Sequence, residues 1–212
     1  MSEHEHHDHD EHDHEHEHEH DGDHDHEVDE EALARHREGE KQWLRERALA
    51  QIRQYPDVAL RMRAREVTEF DEFLVQLVER MLDLMHDAQG VGLAATQVGV
   101  LQRVFVFEPN EEHPARAVVN PVVTLEGDER EVDEEGCLSL RDVRVPVERA
   151  TKVILEGKDP NGNDVRYELD GFAARVVQHE TDHLDGTLII DRTDADSRRA
   201  ALGELRPQPT LA

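Results

Sequence analysis

Residues 172–186 read FAARVVQHETDHLDG and contain the strongest structural and chemical signal in the chain. The composition predicts a helix over 172–184 that ends at Asp185-Gly186. The pattern His-Glu-x-x-His places His179 and His183 four residues apart. Residues at that spacing share one face of a helix, so both imidazoles can bind the same metal ion.

Glu180 lies next to the first histidine of this pattern. A water bound to a metal ion becomes acidic, and a neighbouring carboxylate can take its proton and later return it. The alternative is that two histidines and a glutamate share a helix by chance. The neighbours are apolar, however, which predicts that the pair is buried and needs partners. These neighbours are Phe172, Ala173, Val176, Val177 and Leu184.

The third metal ligand is open at this stage. Catalytic zinc-type sites use three protein ligands and leave one position for water or substrate. No histidine follows His183, but Glu204 is available downstream. Upstream, the only cysteine of the chain lies in the segment EGCLS, at Cys137. A thiolate is a strong ligand for a borderline metal, although a free cysteine is more commonly a small buried hydrophobe.

A glycine-rich segment, GVGLAATQ at 90–97, lies between a predicted helix and the first predicted strand. Its small residues let the backbone approach another group closely, and it ends in the amide of Gln97. The Lys-Ser/Thr ending of a phosphate loop is missing. An ordinary helix-to-strand loop is the simpler interpretation of the glycines alone.

The rest of the sequence predicts one α+β fold, with antiparallel β-sheets packed around a C-terminal metal-binding helix and an N-terminal amphipathic helix. Thr68-x-x-Asp71 predicts the start of that amphipathic helix. Its apolar face comprises Phe70, Phe73, Leu74, Leu77, Val78, Met81 and Met85. Asn161-Gly162 predicts a hairpin turn. The predicted strands are 104–107, 117–125, 143–147, 152–156 and 165–169.

Composition divides the chain into four parts. Residues 1–31 form a His/Asp/Glu-rich tail that we expect to be disordered. A solvated helical linker follows at 32–51, then a catalytic domain at 52–195 and a C-terminal tail at 196–212. The first part holds sixteen acids and eleven histidines but no Lys or Arg. It could buffer metal ions, but a solvated polyanion without a specific role is the better interpretation.

Charge and hydropathy exclude several classes of partner. The net charge is −27; without the sixteen acids of the tail, 35 acids face 24 bases, which leaves about −11. No basic stripe is present, so we expect no direct nucleic-acid site. We expect no membrane span and no secretory signal, because no stretch is long and apolar enough. A cytoplasmic enzyme with one unpaired cysteine fits these features best.

The three segments, in this order, resemble the signature motifs of bacterial peptide deformylases. Residues 90–97 are similar to Gly-x-Gly-Leu-Ala-Ala-x-Gln, 135–139 to Glu-Gly-Cys-Leu-Ser, and 178–183 to the family's metal-binding helix. Asn120-Pro121 and Val147-x-Arg149 are further similar features. The resemblance covers roughly residues 52–191, nearly the whole predicted catalytic domain.

The resemblance implies a mononuclear site with ferrous iron, which zinc or nickel can replace, bound by Cys137, His179 and His183. The expected substrate is the formyl-methionyl end of a nascent polypeptide. We expect the enzyme to be a monomer and to act at the ribosome. Metal-bound water would attack the formyl carbon, releasing formate, with Glu180 as general base and then acid. The resemblance also implies that the Gln97 amide and the Leu138 backbone N–H stabilise the oxyanion. Gly90, Val91, Gly92 and Val176 would border the methionine pocket.

Two departures from the family pattern concern the surroundings of the site. Arg141 stands where the family usually has a proline after the cysteine motif, which leaves the peptide preference open. Val58 replaces another common proline. We also expect a salt bridge between Arg149 and Glu135. Two other functions stay open from the residues: an endopeptidase with Glu204 as third ligand, and a catalytically silent metal-handling protein.

Overall fold

The computed structural model of the chain describes residues 30–110 and 114–205. Seven strands and four α-helices form most of this part of the chain. The helices are α1 (Glu30–Gln51), α2 (Glu72–Asp87), α3 (Gly171–Leu184) and α4 (Ala195–Glu204). The strands are β1 (Gly92–Ala94), β2 (Val104–Phe107), β3 (Arg116–Leu125), β4 (Arg130–Cys137), β5 (Leu140–Ala150), β6 (Lys152–Lys158) and β7 (Asp164–Asp170).

The strands form two antiparallel sheets, which confirms the predicted α+β fold. The larger sheet has the order β1-β2-β3-β6-β7, and β4 pairs with β5 in the smaller one. The predicted Asn161-Gly162 turn joins β6 to β7, with the Gly162 N–H donating to the Asp159 carbonyl over 3.0 Å. The sequence analysis missed β1 and β4. Strand β1 has only three residues, and most of β4 is exposed, so neither shows the alternation that marks a half-buried strand.

Helix α2 begins later than the sequence predicted. Its N-cap is Asp71, whose carboxylate accepts a hydrogen bond from the Leu74 N–H over 3.1 Å, and not Thr68. Phe73, in the first turn of the helix, is 58% exposed and does not join the buried stripe. Phe70 precedes the helix and packs at the margin of the core. The remaining predicted face is buried as expected: Leu74, Leu77, Val78, Met81 and Met85.

The two terminal helices contact the domain more closely than their sequences indicate. Helix α1 begins at Glu30 and is exposed along most of its length, but Ala48 and Leu49 in its last turn are buried in the core beside α2. Helix α4 lies almost entirely in the segment predicted as a C-terminal tail. Its residue Ala201 is buried against the domain. No helix within residues 30–110 and 114–205 is long and apolar enough to cross a bilayer.

Helix α3 ends as predicted, with Asp185 as its C-cap. Its apolar side, which includes Ala174 and Val177, joins the core formed with the large sheet. The Gln178 amide ties the helix to the end of β5: it donates to the Ala150 carbonyl over 2.9 Å and accepts from the Ala150 N–H over 3.1 Å. This attachment brings the histidine pattern to the hairpin of β4 and β5.

A glycine in β6 makes the packing of the large sheet testable. A Cβ added at Gly157 would lie 2.6 Å from Val118 Cγ1 and 2.9 Å from the Val119 carbonyl oxygen. We expect Gly157→Ala to lower the free energy of unfolding by about 1–3 kcal/mol, because the strands must separate to admit the methyl group. Gly39→Ala in α1 is the control, since nothing lies within 4 Å of that position. Equal stabilities of the two variants in denaturant titrations would contradict the packing argument.

Candidate metal centre

Three ligand atoms converge where α3 meets the end of β4. The Cys137 Sγ lies 3.2 Å from the His183 Nε2, which lies 3.2 Å from the His179 Nε2. One ligand atom from each residue falls within 4.8 Å of the others. Donors at about 2.0–2.3 Å from a tetrahedral ion lie roughly 3.3–3.6 Å apart. The donor set and spacing therefore fit one divalent ion of the borderline class.

The backbone explains why the cysteine reaches the histidines. The register of β4 and β5 shifts between Gly136 and Cys137, so the tight connection at Leu138–Ser139 turns the Sγ towards α3. The Ser139 N–H lies 3.4 Å from the Sγ and donates to it. Among the described residues this is the one cluster of three potential ligands, and Glu204 does not join it, because it is exposed at the end of α4.

A buried carboxylate orients the first histidine. Glu135 Oε2 lies 3.0 Å from the His179 Nδ1, which leaves Nε2 to face the other two ligands. Arg149 donates two hydrogen bonds to the same carboxylate, over 2.9 and 3.0 Å, and Arg175 donates a third over 2.9 Å. Burial alone would raise the pKa of Glu135, but the hydrogen bonds from His179 and Arg149 outweigh it and lower the pKa to about 2.

This network confirms the expected Arg149–Glu135 salt bridge and extends beyond it. Arg149 also donates to Asp182 over 2.6 Å, and Arg192 donates to both oxygens of Asp182. The sequence analysis missed Arg175 and Asp182. Both lie on α3 with the histidine pattern, and a charged residue in an otherwise apolar helix segment was the signal that could have identified Arg175. Such outer partners fix the orientation of metal ligands.

Glu180 is buried against the glycine-rich segment. The side chain is 4% exposed, and its Oε2 has no hydrogen-bond partner within the described residues. A Cβ added at Gly92 would lie 2.3 Å from the Glu180 Oε1, so any larger residue there would displace the Glu180 side chain. Burial raises the pKa of Glu180 to about 7. The carboxyl group can therefore exchange a proton near neutral pH.

The two histidines differ in their proton affinity. Burial and the neighbouring His179 hold the pKa of His183 well below its usual value. Burial would also lower the pKa of His179, but Cys137 and Glu135, which accept hydrogen bonds from its ring, raise it well above its usual value. Because the two Nε2 atoms are 3.2 Å apart, both rings cannot carry a proton there. At most one of the two rings is therefore protonated on Nε2, and the other presents a lone pair there.

Gln97 is fixed beside the same cluster. Its Oε1 accepts a hydrogen bond from the Ala94 N–H over 2.8 Å, which sets the orientation of the amide. Its Nε2 donates to the Ser139 Oγ over 3.1 Å and lies 3.8 Å from the Cys137 Sγ. The side chain is almost fully buried. The Nε2 of Gln97 is therefore held facing Ser139 and Cys137.

One cleft of about 480 Å³ connects these groups. Cys137, His179, Glu180 and Gln97 line it, while His183 is buried behind them. The other residues that the sequence assigned to substrate or oxyanion binding also line it: Gly90, Val91, Gly92, Leu138 and Val176. The structure thus brings all the predicted site residues together.

A helix-borne histidine pair, an upstream cysteine and a buried carboxylate in a cleft are the parts of a mononuclear metal hydrolase centre. Comparisons with known proteins give the family. The family described as Polypeptide deformylase matches residues 49–199. The chain therefore belongs to the polypeptide deformylase family.

Individual relatives agree with this assignment. Peptide deformylase 1 of Corynebacterium glutamicum is 45% identical over 161 residues, which cover 75% of this chain and 95% of the relative. Peptide deformylase of Thermotoga maritima is 46% identical over 147 residues, covering 69% and 88% of the two chains. Its crystal structure superposes with a TM-score of 0.65 at 47% identity over 68% of this chain and 96% of that one.

The Glu135 network yields a test of how the centre is held together. We expect Glu135→Gln to destabilise the fold by about 3–5 kcal/mol, because Arg175 would lose its carboxylate partner while staying buried. Affinity for a divalent metal should fall roughly 10- to 100-fold, because His179 would lose its anionic partner. Thermal unfolding and competition with a chelator measure the two effects.

Glu134→Gln is the matched control, since Glu134 is adjacent but exposed. Its stability and metal affinity should remain close to those of the unchanged protein. Wild-type behaviour of Glu135→Gln in both measurements would show that the network does not support the centre.

Proposed function

We propose that this chain removes the formyl group from the N-terminal formyl-methionine of nascent polypeptides, releasing formate. The observation that carries the proposal is the position of Glu180. Its buried, unpartnered carboxylate oxygen lies beside a cluster of one cysteine and two histidines, in a cleft that also holds the Gln97 amide. Family membership supports the same reaction, since the named relatives are peptide deformylases.

The chain's own residues provide for a resident metal. Cys137, His179 and His183 would hold a divalent ion, and we propose ferrous iron, with zinc or nickel able to replace it. Such an ion, when bound, supplies Lewis acidity and makes a coordinated water acidic near neutral pH. Glu135 keeps the His179 ring in the tautomer that presents Nε2 to the ion.

Glu180 is proposed as the general base and then the general acid. Its carboxylate can accept the proton of the attacking water and later deliver it to the departing amine. Burial serves this role in two ways. It keeps bulk water from competing for the carboxylate, and it holds the group in one position against Gly92.

Gln97 and the Leu138 backbone N–H are proposed as oxyanion donors. The Ala94 N–H fixes the Gln97 amide before substrate arrives, so no reorganisation is needed during the reaction. Preorganised donors of this kind contribute on the order of 3 kcal/mol each in other hydrolases. Gly90, Val91, Gly92 and Val176 are proposed to border the pocket for the methionine side chain, because they line the same cleft.

The endopeptidase alternative has less support. It requires Glu204 as third ligand, but Glu204 is exposed on α4, whereas the Cys137 Sγ lies 3.2 Å from the His183 Nε2. The silent metal-handling alternative gives no reason for an aligned Gln97 amide or for a buried, unpartnered Glu180. Both groups are expected only where a reaction takes place.

The decisive measurement is formate release from formyl-Met-Ala-Ser by anaerobically prepared protein loaded with iron, nickel or zinc. We expect turnover with the unchanged chain and a loss of at least about 100-fold in Glu180→Gln, which removes the base but keeps the shape of the side chain. Metal content should be retained in Glu180→Gln.

Two further variants separate the third-ligand hypotheses. Cys137→Ser should lose both metal and activity, whereas Glu204→Gln should keep both. No formate release with any of the three metals would sink the proposed function. The reverse result for the two variants would favour the endopeptidase.

A second prediction concerns the contact between Gly92 and Glu180. Gly92→Ala places a methyl group within the space of the Glu180 carboxylate, so the base must move. We expect a fall in kcat on the order of 100-fold, since misplacement by about 1 Å is enough for such a loss. Gly203→Ala is the control, because nothing lies within 4 Å of that position. Full activity of Gly92→Ala with unchanged metal content would refute the proposed position of the base.

Several finer expectations stay predictions. They are monomeric and cytoplasmic action at the ribosome, the absence of nucleic-acid and membrane partners, and the division of the chain at residues 31, 51 and 195. The tail at 1–29, whether it buffers metal or acts only as a solvated polyanion, lies outside the described residues. Titration of a synthetic 1–31 peptide with nickel or zinc distinguishes these two roles.

A further inference from the structure

Helix α1 forms part of the wall of the candidate active-site cleft. Arg45 and Leu49, one helical turn apart, line the same cleft as Cys137 and Glu180. Most of α1 precedes the region that matches the family, which begins at residue 49. Arg45 therefore reaches the cleft from a segment outside the family match.

Two kinds of contact hold α1 in this place. The buried residues Ala48 and Leu49 anchor its last turn in the core. Beside them, Glu46 pairs with Arg141 over 3.2 Å. Arg141 stands near the start of β5, just after the cysteine motif, at the position where the family commonly has a proline. The anchored turn holds the helix in place, and the ion pair adds a contact between the helix and the start of β5, which borders the cleft.

The charge of Arg45 is available to a ligand. Its side chain is half-buried, and no carboxylate within residues 30–110 and 114–205 lies within ion-pair distance of it. Two nearby arginines, unlike Arg45, already have partners. Arg141 is paired with Glu46, and the Arg47 guanidinium stacks 4.5 Å from the centre of the Trp43 ring.

We propose that Arg45 is a specificity-determining residue that binds an acidic side chain of the peptide downstream of the formyl-methionine. The inference rests on the proposed deformylase function and adds a preference among its substrates. The guanidinium is a planar donor that matches a carboxylate. The bound group would be a side chain, because a nascent polypeptide has no free C-terminal carboxylate while it is attached to its transfer RNA.

The other exposed charges of the cleft carry both signs. Glu134 and Asp142 also line it and would repel an acidic residue, while Arg144 would attract one. The protein as a whole carries a net charge of −27, which disfavours acidic peptides at long range. A preference for an acidic residue at one peptide position would therefore be local and would depend on Arg45.

The test uses peptides with an amidated C-terminus, so that a side chain supplies the only carboxylate. Formyl-Met-Ala-Glu-Ser-amide is compared with its Gln counterpart, and the Glu is then moved to the second and fourth positions. We expect kcat/KM for the best Glu peptide to exceed that of its Gln counterpart roughly 2- to 5-fold at low ionic strength. Added salt should reduce this ratio.

Arg45→Gln should bring the ratio to about 1, Arg45→Lys should retain part of it, and Arg45→Glu should invert it. Arg47→Gln, on the same helix but outside the cleft, is the control and should behave as the unchanged protein. A ratio of 1 at all three positions in the unchanged protein, or the same ratio in Arg45→Gln, overturns the proposal. Failure of the unchanged protein to hydrolyse either peptide would count against the proposed function itself.

Discussion

The buried carboxylate of Glu135 is the interaction on which the centre depends. It accepts hydrogen bonds from Arg149 and Arg175 and from the Nδ1 of His179. A buried charge of this kind is costly unless every partner is in place. Because β4 carries Glu135 and α3 carries Arg175 and His179, the network joins the small sheet to the metal-binding helix. Folding and assembly of the site are therefore coupled.

Glu180, the proposed general base, lies outside this network. Glu180 shares the helix with His179, yet no hydrogen bond reaches its buried Oε2 within the described residues. The pKa values of the two glutamates are consequently shifted in opposite directions, to about 2 for Glu135 and to about 7 for Glu180. One carboxylate is fixed as a permanent anion, whereas the other can exchange a proton. Environment assigns these two roles to the same residue type.

The cleft also depends on parts of the chain outside the motifs. Helix α1 forms one wall through Leu49 and Arg45, held by burial of its last turn and by the Glu46–Arg141 pair. The replacement of a common proline by Arg141 thus has a structural counterpart, because the arginine provides a contact for the helix. A peptide passing through the cleft would meet α1 as well as the segments that bear the proposed catalytic groups.

The sequence by itself predicted the residues of the candidate site and most of the elements. The spacing of His179 and His183 fixes their shared face, since helix geometry is local, and Asn161-Gly162 fixes its hairpin for the same reason. The family resemblance already implied Cys137 as the third ligand, and its Sγ lies 3.2 Å from the His183 Nε2. Only the tertiary structure decided that Arg175 and Asp182 belong to the network and that α1 reaches the cleft. These contacts join residues far apart in the chain, and their cost or benefit depends on burial. Sequence periodicity reports which face is apolar but not which element covers it.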